Sequence, residues 1–531
     1  MMKFPVNVQS FRQLREEGYV YVDKTAMVYQ LVKTGHVYFL SRPRRFGKSL
    51  LVSTLRNYFE GRKELFQGLA IEKLETEWNQ YPVFHIDFNG GDFLTAGSLE
   101  GILEGIVSSW ERQYGKSPDY TDVGNRFAYV LHQARQQYGR RCAVLIDEYD
   151  KPILDVLDTG RKTSLDGQEC LLEDRHRDIL KAFYSVFKAA DEDIQFVLLT
   201  GVTKFSQVSV FSGFNQPADI SMNAQFESLC GITQEELENC FAEPIAQMAR
   251  ELGLSREKIL QNLKDQYDGY HFSHRMTDIY NPFSLLNAFY QQSIQDFWFS
   301  SGTPSYLLRL LSHSHENLNE MTGKYYSPNE FVDYKADVEK PLPMIYQSGY
   351  LTIKKYDPFF HTFLLDFPNN EVKNGFVSLV ASNYLKPKQN MDSWIRKIVS
   401  ALHQGQPESL RDIFTAFLAD IPYTMRRKKS LPERENFFHY TFYLIFKLIS
   451  VYTVYTEKEQ SQGRSDCIVE TPQYVYIFEF KLDGTAEEAL RQIEEKGYAR
   501  PYAADSRKLF RIGASFSSKT GTIADWKHIP A

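Results

Sequence analysis

The chain has 531 residues, of which 43% are hydrophobic and 24% are charged, a composition typical of folded proteins with about three domains. It excludes disordered, collagen-like and coiled-coil proteins. The formal net charge is −6, so any affinity for nucleic acid must come from local basic patches. The five cysteines form no CxxC pair, which argues against a disulfide framework and a zinc ribbon.

The sequence predicts neither a signal peptide nor a membrane span. The amino terminus has no apolar core of the kind that signal peptides contain. The longest apolar stretch, 437–450, is interrupted by His439 and Lys447 and is too short to cross a bilayer. We therefore expect a cytoplasmic protein that does not act at a membrane.

The first half of the sequence alternates short apolar runs with helical segments, which is typical of a parallel sheet with crossover helices. The runs are mostly apolar, as expected for strands buried on both faces. After the first run, Leu51, Leu55 and Phe59 recur four residues apart and predict a helix over 48–60. The predicted strands are 36–41, 81–88, 142–148 and 194–202.

The remainder of the sequence changes character twice. Between about 205 and 400, helical segments at 234–251 and 256–265 precede turn-rich aromatic stretches, and we interpret this part as a helical lid with a connecting region. From about 421, the order of elements predicts a separately folded mixed α/β domain. Its predicted elements are a basic run at 426–429, helices over 433–450 and 486–496, and strands at 451–457, 465–470, 474–481 and 508–514.

A phosphate-binding motif follows the first predicted strand. Residues 41–49 read SRPRRFGKS, and Gly47, Lys48 and Ser49 match the end of the P-loop pattern GxxxxGK(S/T). Backbone N–H groups at a helix N-terminus bind anions, the lysine reaches the β- and γ-phosphates, and the serine hydroxyl binds Mg²⁺. Arg42 replaces the first glycine of the pattern, so either the loop follows a different path or Arg42 adds a phosphate contact.

Two acids at the end of a later strand strengthen this interpretation. The run AVLIDE ends in Asp147, which we expect to support Mg²⁺, and Glu148, which we expect to polarise the attacking water. Thr200 and Thr203 lie at the end of the next strand and are both candidates to contact the γ-phosphate; we assign Thr203. The predicted ATP-binding residues are Arg45, Phe46, Gly47, Lys48, Ser49, Leu50, Asp147 and Thr203. Each motif has an ordinary alternative, since GKS is a short string and strands often end in acids.

A second group of acids and a lysine lies near the carboxyl terminus. In the predicted strand 474–481, Glu479 and Lys481 share one face with apolar residues, and such burial is costly unless the charges are paired or bind a metal. Asp466 and Glu479 would supply oxygen ligands to a divalent cation, with the Phe480 carbonyl as a third. Lys481 would position or deprotonate a water that attacks a phosphodiester.

The flanking residues add weaker candidates to this second group. The next helix begins with a capping-box pattern at Thr485, and Gln492 lies beside its buried stripe, so we include Gln492 in the catalytic set with Glu148, Asp466, Glu479 and Lys481. Glu435 and Glu457 are weaker candidates for an additional ligand. The alternative for Glu479 and Lys481 is a structural ion pair at the end of a sheet.

The sequence resembles two known families. The segments FPVNVQSFRQLREEGYVYVDKTAMVYQLV, YFLSRPRRFGKSLLVSTLRNYFEG, AVLIDEYDKPI and LTGVTKFSQVSVFSGFNQ resemble the bacterial AAA-ATPase-like family. The segments GRSDCIVE, YVYIFEFK and ALRQIEEKGYA resemble the PD-(D/E)XK nuclease superfamily. This resemblance implies a P-loop core that binds ATP and Mg²⁺, with a nuclease centre at Asp466, Glu479 and Lys481 in a restriction-endonuclease-like fold.

We therefore expect an α/β protein with three regions. These are a P-loop AAA-ATPase-like domain over 1–230, a helical lid and connecting region over 231–400, and a PD-(D/E)XK nuclease-like domain over 401–531. The leading hypothesis is an ATP-regulated, Mg²⁺-dependent nuclease that cleaves DNA, acting in defence or in the control of mobile elements, with a homo-oligomer as one option. The main alternative is a nucleotide-dependent switch whose C-terminal domain binds nucleic acid or a protein without cleavage.

Overall fold

The computed structural model divides the chain into two compact units, 1–372 and 373–531. It describes residues 2–165, 167–205, 217–298, 306–307, 309–310, 321–332, 334, 340–385, 391–421, 441, 444–445, 453–460 and 463–530. The predicted basic run at 426–429 and nearly all of the predicted helix over 433–450 lie outside these residues. Residues 231–372, the larger part of the predicted lid and connecting region, pack within the first unit.

The centre of the first unit is a five-stranded, fully parallel sheet with the order β2-β3-β6-β1-β7. Its strands are β1 Val37–Ser41, β2 Val83–Asp87, β3 Cys142–Asp147, β6 Ile194–Gly201 and β7 Ala218–Asp219. Between β3 and β6, the chain forms the hairpin β4 Lys162–Leu165 and β5 Gln168–Leu171. Strands β3 and β6 are almost continuously buried, as predicted from their apolar sequences. The predicted mixed α/β fold is thereby confirmed.

Helices connect and cover these strands. Helix α3 buries Leu51, Leu55 and Phe59, which confirms the predicted stripe. The helices of the first unit are α1 Phe11–Glu16, α2 Thr25–Thr34, α3 Lys48–Phe59, α4 Ser98–Tyr114, α5 Val123–Tyr138, α6 Lys151–Leu154, α7 Leu172–Tyr184, α8 Val186–Ala189, α9 Gln234–Cys240, α10 Ala242–Leu252, α11 Arg256–Tyr267, α12 Pro282–Gln291, α13 Pro328–Phe331 and α14 Leu342–Gln347. Short 3₁₀ helices occur at Lys63–Phe66, Ala70–Lys73 and Asp191–Asp193.

The middle of the chain contains more strand than the sequence predicted. A two-stranded pair, β8 Ile232–Thr233 and β9 Ile279–Tyr280, flanks helices α9 to α11, whose apolar faces share one core with α12. A three-stranded antiparallel sheet follows, with the order β10-β12-β11. Its strands are β10 Lys324–Tyr326, β11 Thr352–Asp357 and β12 Thr362–Asp366. Helical periodicity alone did not indicate this sheet, because its strands are short and lie between turns.

Helix α15, Asn370–Leu385, crosses the boundary between the units, and α16 Met391–His403 and α17 Pro407–Asp420 follow it. The second unit contains a five-stranded mixed sheet with the order β13-β14-β15-β16-β17, in which only β15 and β16 run parallel. Its strands are β13 Thr453–Gln460, β14 Gly463–Glu470, β15 Tyr474–Leu482, β16 Lys508–Phe516 and β17 Ile523–Pro530.

Helix α18, Ala486–Glu495, joins β15 to β16 and covers one face of this sheet. Thr485 and Glu488 form the predicted capping box. The buried Ile493 packs with Val475 and Ile477 of β15, so the face that carries Glu479 and Lys481 is the face that α18 covers. Among the residues described above, no helix combines the length and apolarity needed to cross a bilayer.

Candidate nucleotide and nuclease sites

The loop between β1 and α3 brings a helix N-terminus to the carboxyl edge of the central sheet. Helix α3 begins at Lys48; its N-cap residue Gly47 has φ 90°, and no side chain of the described residues caps the helix. The first backbone N–H groups of an α-helix have no partner within the helix. Together with the positive end of the helix dipole, such donors form a binding site for phosphate.

Lys48 is buried within this loop. Its side-chain Nζ donates to the carbonyl oxygens of Arg42 at 2.9 Å and Pro43 at 3.1 Å. Burial lowers the pKa of the Lys48 ammonium, and the carboxylates of Asp147 and Glu148 oppose that change. A phosphate oxygen would be a stronger acceptor for this ammonium than the two neutral carbonyls, because charge-assisted hydrogen bonds are stronger.

The other predicted loop residues differ in exposure. Arg45 is exposed and adopts a left-handed conformation with φ 68°. Phe46 is buried, and its ring contacts Tyr270 edge-to-face with a centroid distance of 4.8 Å. Ser49 and Leu50 are half-buried in the first turn of α3. The Phe46 side chain therefore anchors the loop.

Arg42 stands where the P-loop pattern has its first glycine, but its side chain is buried in the core. Its side chain is 1% exposed, and the guanidinium lies 4.1 Å from the centre of the Phe272 ring. The guanidinium donates to the carbonyl oxygens of Ser41, Ser221, Phe226 and Glu227. Of the two alternatives for Arg42, the structure contradicts the added phosphate contact, because these carbonyls hold the buried guanidinium in the core.

Asp147 ends β3 at the same edge of the sheet and is 3% exposed. Strand β6 lies between β1 and β3, so its Thr200 stands beside this carboxylate and donates to Asp147 Oδ1 at 2.5 Å. The Thr203 hydroxyl instead donates to the sulfur of Met344 at 3.3 Å. The structure favours Thr200 over the assigned Thr203, because the Thr200 hydroxyl bonds Asp147 and the Thr203 hydroxyl does not.

Glu148 follows Asp147 in a conformation that is uncommon for a residue other than glycine, with φ 52°. Its N–H donates to Asp147 Oδ1 at 3.1 Å. Burial raises the pKa of the Glu148 carboxyl group, and the Lys48 charge lowers it. Strained backbone of this kind is concentrated at functional sites, and a raised pKa makes the carboxylate a better acceptor for a proton from water.

Two residues that the sequence analysis did not select fix this arrangement. Asp150 is buried, and its Oδ2 accepts from the N–H groups of Val202 at 2.9 Å and Thr203 at 2.6 Å. Burial raises the pKa of Asp150 to about 6. The Tyr149 hydroxyl donates to the Thr203 carbonyl at 2.7 Å. In the sequence, Asp150 is the third acid of the segment DEYD, a position for which the P-loop pattern specifies no residue.

In the second unit, the predicted nuclease residues meet where β14 and β15 separate. The antiparallel pairing of these strands ends at Cys467 and Phe478. Beyond that pair, the Asp466 carboxylate Oδ2 accepts from the Phe480 N–H at 2.8 Å. The Asp466 side chain therefore takes the position of a backbone partner and is held at the end of the strand that carries Glu479 and Lys481.

Glu479 is 1% exposed, and its Oε1 accepts from the Lys481 ammonium at 3.4 Å. Gln492 of α18 connects the two residues, since its amide nitrogen donates to Glu479 Oε1 and its amide oxygen accepts from Lys481 Nζ at 2.6 Å. Burial, reinforced by the Asp466 charge, raises the pKa of Glu479 to about 7. Glu479, Lys481 and Gln492 thus contact one another, and Asp466 is bonded to the backbone N–H of Phe480, which lies between Glu479 and Lys481 in the strand.

This group fits a magnesium ion. The second oxygen of Glu479, Oε2, is buried without a hydrogen-bond partner among the described residues, and Asp466 supplies a further carboxylate. Mg²⁺ is usually held by one or two carboxylates, with water and substrate oxygens completing its shell. The described residues contain no cluster of three or more His, Cys, Asp or Glu that could bind a metal. Glu435 and the Glu457 side chain lie outside the described residues.

Comparisons with known proteins match both ends of the chain. A family model described as predicted AAA-ATPase matches residues 5–211, and a model of the PD-(D/E)XK nuclease superfamily matches residues 433–526. The chain is 34% identical, over 98% of each chain, to an uncharacterized protein in the vnfD 5′ region of Azotobacter chroococcum mcd 1.

The chain belongs to the AAA-ATPase-like family and ends in a PD-(D/E)XK nuclease superfamily domain. The first match contains Lys48 and Asp147, and the second contains Asp466, Glu479 and Lys481. The resemblance noted in the sequence is thereby confirmed, and the two polar groups described above lie in the two matched regions.

The first unit also contains an apolar cavity of about 100 Å³ next to the loop between β1 and α3. Its walls come from the amino-terminal segment, the loop, α3 and α12. They include Val22, Phe46, Gly47, Leu50 and Leu286. Gly47 and Leu50 border both the cavity and the start of α3.

Replacing Arg42 by glycine, which would restore the P-loop pattern, should destabilise the protein. The change leaves buried carbonyl oxygens without donors, and we expect a loss of about 3 kcal/mol in the free energy of unfolding. Arg45→Gly in the same loop should cause little or no loss, since glycine relieves the strain of the left-handed backbone. Urea unfolding monitored by circular dichroism compares the two variants; equal stability would contradict the structural role of Arg42.

The raised pKa of Glu479 predicts a pH-dependent response to Mg²⁺. Without the ion, the unfolded carboxyl group ionises near 4.5 and the folded one near 7, so its contribution to stability is complete below pH 4.5 and is lost as the pH rises to 7. Ion binding requires the ionised form, so affinity should rise about tenfold per pH unit up to 7 and then level off.

The Mg²⁺-induced increase in unfolding temperature, measured without nucleotide between pH 5.5 and 8.5, checks this response. Glu479→Gln should abolish the pH dependence, and Glu495→Gln, which alters an exposed glutamate on the same unit, should preserve it. An Mg²⁺ response that is independent of pH in the wild-type protein would show that Glu479 does not bind the ion.

Proposed function

We propose that this protein binds and hydrolyses ATP in its first unit and cleaves DNA phosphodiesters with Mg²⁺ in its second unit. The observation that carries the nuclease part is the convergence of Glu479, Lys481 and Gln492 beside Asp466. The observation that carries the nucleotide part is the buried Lys48 at an uncapped helix N-terminus, at the same sheet edge as Asp147. A role in defence or in the control of mobile elements remains a prediction from sequence.

In the first unit, different residues bind the phosphates, bind Mg²⁺ and accept a proton from the attacking water. The N–H groups at the start of α3 and the Lys48 ammonium bind the phosphates. The Ser49 hydroxyl and the Asp147 carboxylate hold Mg²⁺, and Thr200 orients Asp147 through its hydrogen bond. The bound ion would neutralise charge on the phosphates as the terminal bond breaks. Glu148 accepts a proton from the attacking water.

The apolar cavity beside Gly47 supports a place for the base of the nucleotide. Ligand pockets are usually lined by apolar side chains with few polar groups, and this cavity adjoins the phosphate-binding N-terminus. A nucleobase in it would bury apolar surface against Val22, Leu50 and Leu286, and this burial favours binding. The affinity for ATP then exceeds the affinity for its triphosphate group alone.

In the second unit, buried carboxylates and a more exposed lysine support phosphodiester cleavage. Asp466 and Glu479 would hold the divalent cation, and the cation would supply Lewis-acid activation for phosphodiester cleavage. The Lys481 side chain is 29% exposed, so its ammonium can reach a phosphate arriving from solvent. Lys481 positions the water or stabilises the developing charge. Gln492 orients Lys481 through its amide oxygen.

Lys481→Ala should reduce DNA cleavage by about 100-fold or more, because it removes the group that positions the water or stabilises charge. The assay uses supercoiled plasmid and labelled single strands with Mg²⁺ or Mn²⁺, each with ATP, with ADP and without nucleotide. Lys519→Ala, an exposed lysine of the same unit, serves as the matched control and should cleave as the wild-type protein does.

The outcome separates the nuclease from its alternative. No cleavage by the wild-type protein under any condition, combined with ATP-dependent and salt-sensitive DNA binding, would replace the nuclease with the nucleotide-dependent switch. Lys48→Ala, compared with the exposed Lys63→Ala, then shows whether nucleotide binding controls cleavage or DNA affinity.

Filling the apolar cavity should remove the contribution of the base to the affinity for ATP. Leu286→Trp should lower the affinity for ATP by at least about tenfold, to that for inorganic tripolyphosphate, without changing the affinity for tripolyphosphate. Titration calorimetry with both ligands measures this, and Leu252→Trp, at an exposed leucine, is the control. Equal binding of ATP and tripolyphosphate by the wild-type protein would show that the base lies elsewhere.

A further inference from the structure

A short turn, residues 347–350, contacts two parts of the proposed nucleotide site. It begins at Gln347, the last residue of α14, and lies outside residues 5–211, the region that the AAA-ATPase-like family matches. Gln347, Ser348 and Tyr350 are 6%, 3% and 2% exposed, respectively. Buried polar groups need hydrogen-bond partners. The turn contacts the loop between β1 and α3 at Pro43 and the segment after β6 at Lys204.

The first contact is between Gly349 and the phosphate-binding loop. Gly349 has φ 87°, and a β-carbon at this position would lie 2.6 Å from the Cβ of Pro43. Glycine is therefore required here for two reasons, the left-handed backbone and the close approach. The turn thus packs directly on the residue whose carbonyl oxygen accepts from Lys48.

The same turn reaches Arg44 through aromatic residues. The ring of Tyr350 lies 5.0 Å from that of Trp298, and the Trp298 indole N–H donates to the Arg44 carbonyl oxygen at 3.3 Å. The Ser348 hydroxyl hydrogen bonds the hydroxyl of Tyr306 at 2.9 Å, and the Arg44 guanidinium lies 5.7 Å from the Tyr306 ring centre. The carbonyl oxygen and the guanidinium of Arg44 therefore both contact aromatic residues that pack against the turn.

The other contact is between Gln347 and the segment that follows β6. The Gln347 amide oxygen accepts from the Lys204 N–H at 2.8 Å, and its amide nitrogen donates to the Val332 carbonyl. Lys204 directly follows Thr203, and the Thr203 N–H donates to Asp150 Oδ2. The segment that begins with Thr200, the partner of Asp147, is thus fixed between the turn and the acidic end of β3.

We infer that the 347–350 turn is a positioning element of the nucleotide site. Through Gly349 and Tyr350 it sets the path of the loop that binds phosphate, and through Gln347 it sets the position of Thr200 beside the magnesium ligand Asp147. This inference rests on the proposed binding of ATP and Mg²⁺ by the first unit. It makes residues outside the matched ATPase region part of that unit's active geometry.

The two contacts predict two different defects in nucleotide binding. Gly349→Ala displaces the loop, so it should lower the affinity for ATP about tenfold both with and without Mg²⁺. Gly323→Ala is the matched control, because Gly323 has a similar φ of 69° and a β-carbon there would lie more than 4 Å from the surrounding described residues. It introduces the same backbone strain without touching the loop.

Gln347→Met removes the acceptor for the Lys204 N–H at nearly constant volume. It should leave Mg²⁺-free ATP affinity within about twofold of the wild-type value and reduce the gain in affinity that Mg²⁺ provides by about tenfold. Gln261→Met, an exposed helical glutamine, should retain the full gain. A purely structural role would weaken both affinities together or neither, so this split identifies positioning.

Calorimetric titration of the full-length protein with ATP, with and without Mg²⁺, gives the affinities of all four variants, and thermal unfolding checks that each variant is folded. If Gly349→Ala does not fold, Gln347→Met alone decides the inference. Variants that bind as their controls do would overturn it. If the wild-type protein binds no ATP, the proposed function itself fails, which is a distinct outcome.

Discussion

A charged side chain can be buried at tolerable cost only if it is paired, hydrogen-bonded or able to bind an ion, and both sites of this chain are built on that constraint. Lys48 is buried among carbonyl oxygens near Asp147 and Asp150. Glu479 is buried against Lys481 and Gln492, with one oxygen left without a partner among the described residues. The proposed function assigns a phosphate to the first of these buried charges and a divalent cation to the second.

Arg42 meets the same constraint with the opposite result. Its side chain is buried like that of Lys48, but the two terminal nitrogens of its guanidinium donate to four backbone carbonyls and Phe272 covers it. Its Nε has no hydrogen-bond partner among the described residues, and the carbonyl contacts stabilise the packing of residues 221–227 behind the loop. Burial alone does not mark a functional charge; the state of its partners does.

The two sites also differ in how the chain supplies their parts. In the second unit, Asp466, Glu479, Lys481 and Gln492 come from two adjoining strands and the next helix, so short-range chain geometry suffices to bring them together. In the first unit, Thr200 contacts Asp147 because β6 lies between β1 and β3 in the sheet. The 347–350 turn must then return to Pro43 and Lys204. The nucleotide site is therefore assembled from distant parts of one compact unit.

The sequence by itself determined the elements whose cause is local. Runs of apolar residues predicted the buried strands, the GKS motif predicted the start of α3, and the spacing of Glu479 and Lys481 placed both on one face of β15. The sequence did not determine where Arg42 points, which threonine reaches Asp147, or that Gly349 packs on Pro43. Only the tertiary structure decided these, because each depends on contacts between residues far apart in the chain, which no local periodicity records.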